Sequence, residues 1–153
     1  MQIQTTRFGT LEIDEQEVIK FPSGMLGFEE LNDYVLLPVS GNPAFTWLQA
    51  VQEPAVAFLL VDPFLFFQGY EVELQPRHEQ ALQVDGPDQV AVYAVVTIPP
   101  SGVKDMMANL VGPVAINLVK KRGLQLVLEG TGYTTRHLLF PRQPGQHPRA
   151  AAR

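Results

Sequence analysis

Apolar and polar positions alternate over short stretches of this chain, and Pro or Gly interrupts nearly every stretch. That period belongs to half-buried strands and not to helices. It predicts strands over residues 1–5, 9–13, 17–21, 34–39, 45–51, 56–61, 68–74, 90–98, 114–119 and 124–128. The runs VAFLLV at 56–61 and VAVYAVVTI at 90–98 are apolar at nearly every position, which places them centrally with both faces covered. The 13 Pro and 12 Gly leave room only for short helices: FEELNDY at 28–34, RHEQAL at 77–82 behind Pro76, and a weaker window at 104–110. The fold class that follows is mainly β: a small barrel-like structure or two-sheet sandwich of short antiparallel strands, with one or two short helices.

Composition adds boundaries. A hydrophobic content of 46% over 153 residues supports one core, expected to span residues 1–141 as a single domain. The remaining RQPGQHPRAAAR, residues 142–153, offers no apolar face and is expected to be a disordered tail. The longest apolar runs fall well short of the roughly 20 residues needed to cross a bilayer. The N-terminus has no basic segment followed by an apolar one, and there is no cysteine. These features together point to a cytoplasmic protein without disulfides or a membrane partner. The net charge of -5 is unevenly distributed: residues 1–76 hold eleven Asp or Glu against Arg7 and Lys20, whereas later residues hold five acids against nine Lys or Arg. An acidic first half repels a phosphate backbone and steers basic partners, provided folding gathers the charges on one surface.

The supply of reactive groups is thin. Ser23, Ser40 and Ser101 each sit beside Gly or Pro, outside any G-x-S-x-G elbow, and His78, His137 and His147 lack metal-ligand spacing. No phosphate-binding glycine loop occurs, GTGY at 130–133 is read as a hairpin turn, and Lys120, Lys121 and Arg122 as a charged turn. The expectation is a binding protein with no catalytic residue, metal or cofactor. Glu71 and Glu73 flank Val72, so a strand presents both carboxylates on one face, most simply a solvated one.

Three segments resemble one family. In FPSGMLGFEELNDYVLL, Phe21, Pro22, Gly24, Gly27 and Phe28 match the F-P-x-G-x-x-G-F-E signature of the flagellar assembly factor FliW family. In FTWLQAVQEPAVAFLLVDPFLF, the matching residues are Leu48, Gln49, Pro54, Ala57, Phe58, Asp62 and Pro63. In NLVGPVAINLVKKRGLQLVL they are Asn109, Leu110, Pro113, Ile116, Asn117 and Gln125, with Gly112 in place of the usual alanine. Leu138 stands where the family usually carries proline. The resemblance implies a bacterial cytoplasmic protein that binds newly made flagellin and the RNA-binding translational regulator CsrA. It implies that CsrA is antagonised by partner exchange, so that flagellin synthesis follows export. The candidate partner-binding residues are Glu71, Glu73, Phe28, Asn109 and Asn117, although both asparagines also fit loop bridging through their amides. The rival readings are a small β-barrel enzyme or small-molecule carrier and a structural flagellar component.

Overall fold

The computed structural model describes residues 1–86 and 88–141. The expected tail, residues 142–153, lies outside them. The first hairpin, β1 (Gln2–Thr5) with β2 (Gly9–Glu12), forms its own two-stranded sheet. It is tied to the rest by Thr6 N–H donating to Pro54 O (2.9 Å) and by Phe8 packing edge-on against Trp47. Next come β3 (Ile19–Lys20), β4 (Asp33–Pro38), β5 (Phe45–Ala50), β6 (Ala57–Val61) and β7 (Val90–Thr97), an antiparallel meander. After β8 (Met107–Ala108), β9 (Val114–Asn117) returns along β7, and β10 (Arg122–Gln125) pairs with β9. Then β10 meets β3, which closes a barrel of seven strands, and β11 (His137–Leu138) adds to β8 outside it. An odd number of alternating strands cannot close without one parallel pair. That pair is β3 with β10, held at Arg122 opposite Lys20 and by Lys20 N–H to Lys121 O (2.9 Å).

The barrel is filled by Ile19, Phe21, Met25, Tyr34, Leu48, Leu60, Val114 and Ile116, all buried. A second cluster, including Phe45, Val61, Tyr70, Met106 and Leu139, packs elsewhere. The helix α1 (Pro76–Leu82) contributes Leu82 to a third, with Ala115 and Leu126.

Three expectations need correction. Residues 28–34 form turns instead of a helix, and β4 starts at Asp33. Phe21 N–H donates to Asn32 O (2.7 Å) and the Asn32 amide donates to Phe21 O (3.0 Å), so the segment is tied back to the residue after β3 and its chain turns instead of coiling. Residues 104–110 give a 3-10 turn at Val103–Asp105 followed by β8. Residues 68–74 are not a ladder strand, although their in-out alternation is real: Val72 and Leu74 pack inward while Glu71 and Glu73 are exposed. The 130–133 segment does turn, with Gly130 and Gly132 at positive φ.

Candidate interaction groove

The extended segment that carries Glu71 and Glu73 leads directly into α1. Pro76 opens the helix without losing a hydrogen bond, and His78 Nδ1 accepts from Gln75 N–H (3.0 Å) while Gln75 O accepts from His78 N–H (2.9 Å). Across from this segment run residues 127–133. Between them lies an open groove of about 590 Å³, lined among others by Glu71, Glu73, Glu129, Arg77, Val127 and Tyr133. Glu73 accepts from Gln75 Nε2 (3.2 Å), and the Tyr133 hydroxyl accepts weakly from Glu71 N–H (3.4 Å). Among the described residues the three carboxylates have no ion-pair partner. Three first-half acids do have ion-pair partners: Glu12 with the N-terminal amine (2.9 Å), Asp33 with Lys20 (2.7 Å) and Glu17 with Lys121 (3.2 Å). The groove thus gathers three carboxylates without an ion pair, beside Arg77, in one concavity.

Tyr133 also connects the groove to an aromatic array. Its ring lies 4.9 Å from Tyr70, which lies 5.7 Å from Phe64. Phe64 and Leu65 are strongly exposed, Leu65 at 66%. The Tyr70 hydroxyl donates to Leu110 O (2.7 Å), and burial pushes its pKa well above the ordinary tyrosine value, so it stays a donor. Residue-type reasoning passed over this array. Its signal was the DPFLFF run at 62–67, which the motif match absorbed.

The other candidate residues do different work. Phe28 is 39% exposed and packs edge-on against Phe58 at 5.3 Å, leaving an apolar face at the surface. Asn109 is half-buried and accepts from Gly112 N–H (2.8 Å), closing its own turn. Asn117 is 0% exposed, so no partner reaches it in this structure. Its amide donates to Leu82 O (2.9 Å) and Gln83 O (3.2 Å), and its carbonyl accepts from Val119 N–H (3.0 Å) and Lys120 N–H (3.1 Å). It fastens the end of α1 to the β9–β10 turn.

Burial, and next the Arg77 charge, lower the His78 pKa below 6.5. A histidine depressed in the folded state contributes stability that is present above the unfolded pKa and lost as pH falls through it toward the folded one. Acidification from pH 7.5 to 5.5 is therefore expected to loosen the start of α1. Thermal melts at the two pH values should differ less for His78→Gln, whose side chain does not titrate; an equal difference would remove His78 from the effect.

Among the described residues no group of three or more His, Cys, Asp or Glu could hold a metal ion, and no helix is long and apolar enough to cross a membrane. A family model described as FliW protein matches residues 2–139. The chain belongs to the FliW family. Flagellar assembly factor FliW of Moorella thermoacetica is 54% identical over 140 residues, covering 92% of this chain and 89% of that protein. FliW of a Geobacillus species (strain WCH70) is 40% identical over 141 residues, covering 92% of this chain and 96% of that one. A crystal structure of the flagellar assembly factor FliW matches with a TM-score of 0.87 at 37% identity, over 94% of this chain and 99% of the other. The mainly β fold, closed as a barrel, is thus the FliW fold, and the chain is a flagellar assembly factor of this family.

Proposed function

We propose that this FliW-family chain acts in the cytoplasm as a partner-exchange switch. It binds flagellin while flagellin accumulates, and binds and antagonises CsrA when flagellin has been exported. The observation that carries the CsrA half is the groove between residues 71–75 and 127–133, with Glu71, Glu73 and Glu129 unpaired in one concavity. Such a surface favours a basic protein partner over nucleic acid. Phe28 supplies an exposed apolar contact suited to flagellin. Binding and release need no cofactor and no covalent step. The test is titration of the purified chain against CsrA bound to the flagellin mRNA leader. Free chain is expected to release the mRNA and added flagellin to restore the CsrA–mRNA complex; retention of mRNA at saturating chain rejects the reading.

Charge in an open groove acts mainly on encounter, because exposed charges are screened beyond a Debye length of about 8 Å at physiological salt. Glu71→Lys with Glu73→Lys is expected to slow association with CsrA several-fold at low salt, with the difference shrinking toward about 0.5 M. Dissociation should barely move. Stopped-flow measurements across a salt series check this, and an unchanged association rate at every salt concentration would move CsrA to another face.

A further inference from the structure

Strand β7 is longer than the neighbour on one of its edges. Residues along it turn their main-chain groups to alternate edges. Gln89 O accepts from Leu118 N–H (3.0 Å) and Val95 O accepts from Asn109 N–H (2.9 Å), so odd positions serve the edge shared with β8 and β9. Even positions serve the β6 edge, where Ala94 faces Val61 and Val96 faces Leu59. There β6 ends. Asp62 N–H bonds to Ala44 O, Pro63 has no N–H to give, and the chain leaves in the 3-10 turn Pro63–Leu65, where the Asp62 carboxylate accepts from Phe64 N–H (3.0 Å). Val90 and Val92 therefore have no strand opposite their β6-facing N–H and C=O groups among the described residues. Both line a groove of about 500 Å³, together with Leu36, Pro38, Phe45, Thr46, Asp62 and Phe64.

We propose that this groove is a β-addition site for an extended segment of a partner polypeptide. The segment runs antiparallel to residues 90–93, carries uncharged side chains at alternate positions, and ends in a Lys or Arg that meets Asp62. This goes beyond the exchange reading above and does not depend on it. Three observations specify the occupant. Two unmatched peptide groups spaced two residues apart call for another main chain in extended form, which supplies a donor and an acceptor at that spacing. The lining is mostly apolar, and the Thr46 hydroxyl is buried there without a hydrogen-bond partner. The rim carries the Asp62 carboxylate, which has no ion pair among the described residues, so charge complementarity selects a cation. A second copy of the chain is the poorer fit, because its own edge is equally recessed and would bring Asp62 toward Asp62.

The test titrates the full chain with the acetylated, amidated peptide KTVTVTV and follows amide hydrogen exchange residue by residue. Exchange at Val90 and Val92 is expected to slow at least tenfold at saturation, while Ala91 and Tyr93, already facing β9, change little. The same peptide with alternate amides N-methylated should bind at least tenfold more weakly, and replacing its Lys with Glu should weaken binding several-fold at low salt. Val92→Pro, which removes the groove-facing N–H and no bond to β9, should abolish protection at Val90. The N-methylated peptide keeps the test decisive if that variant does not fold. No protection at Val90 and Val92, equal binding of the methylated peptide, or a peptide-free dimer protecting the same amides would each overturn the proposal. None of these outcomes bears on CsrA release, which is measured separately.

Discussion

Gly123→Ala is expected to destabilise the protein by about 3 kcal/mol, seen as a fall in melting temperature of roughly 6–12 °C. The strand β10 runs so close to the core that a β-carbon at position 123 would sit 2.2 Å from Phe21 Cζ, with Cε1 and Cε2 at 2.5 and 2.6 Å. The Phe21 ring cannot easily give way. It is fully buried and packs edge-on against Tyr34 at 5.1 Å. The cost therefore belongs to the pair, and Phe21→Leu in the Gly123→Ala background should lose less than the two single effects combined. Chemical denaturation of the four proteins measures the coupling; strict additivity would mean that the strain lies elsewhere. The same steric fact accounts for Gly123 in the sequence without any special dihedral angle. By contrast Gly24 combines φ +66° with a β-carbon position 2.5 Å from Phe28 O, so both backbone conformation and space exclude a side chain there.

The second large effect is expected at Asn117. Replacement by leucine keeps approximate size but strands Leu82 O, Gln83 O, Val119 N–H and Lys120 N–H, of which some recover water. A loss of about 3 kcal/mol follows from penalties of about 1–3 kcal/mol per buried unmatched group. The measurement is urea unfolding together with hydrogen exchange in α1, where opening should become easier at the Leu82 end than at the Pro76 end. A variant within about 0.5 kcal/mol of the original would show that water replaces the amide fully. Binding assays on this variant read stability first, since the side chain has no path to a partner.

Strands were legible where burial on both faces imposed a continuous apolar run, as at 56–61 and 90–98, or where alternation was clean, as at 1–5. The helix at Pro76–Leu82 was legible through its N1 proline. The segment 68–74 kept the alternation of a strand without the ladder, because period two reports which side chains face inward and says nothing about whether a neighbour's peptide groups are free. At 28–34 a window free of Pro and Gly was long enough for a helix, but the Glu29 and Asn32 side chains bind loop backbone there. In the groove, Glu71 and Glu73 could be placed together from their spacing alone. Glu129 and Tyr133 could not, since only the path of the chain after β10 brings them across. The asparagines showed their residue type but not their depth: the same amide serves a surface contact or a buried bridge, and burial decides which.

The parallel pair that closes the barrel has a consequence for how the protein is made. Lys20 waits for Arg122, roughly one hundred residues downstream, and a loop of that length costs entropy before any contact rewards it. A growing chain can build the β3–β7 meander early, but it carries an open β3 edge until β10 has left the ribosome. Over that interval the edge is a template for any other unpaired strand. The yield of soluble protein should therefore depend on the rate of this last seam more than on the strength of the finished core.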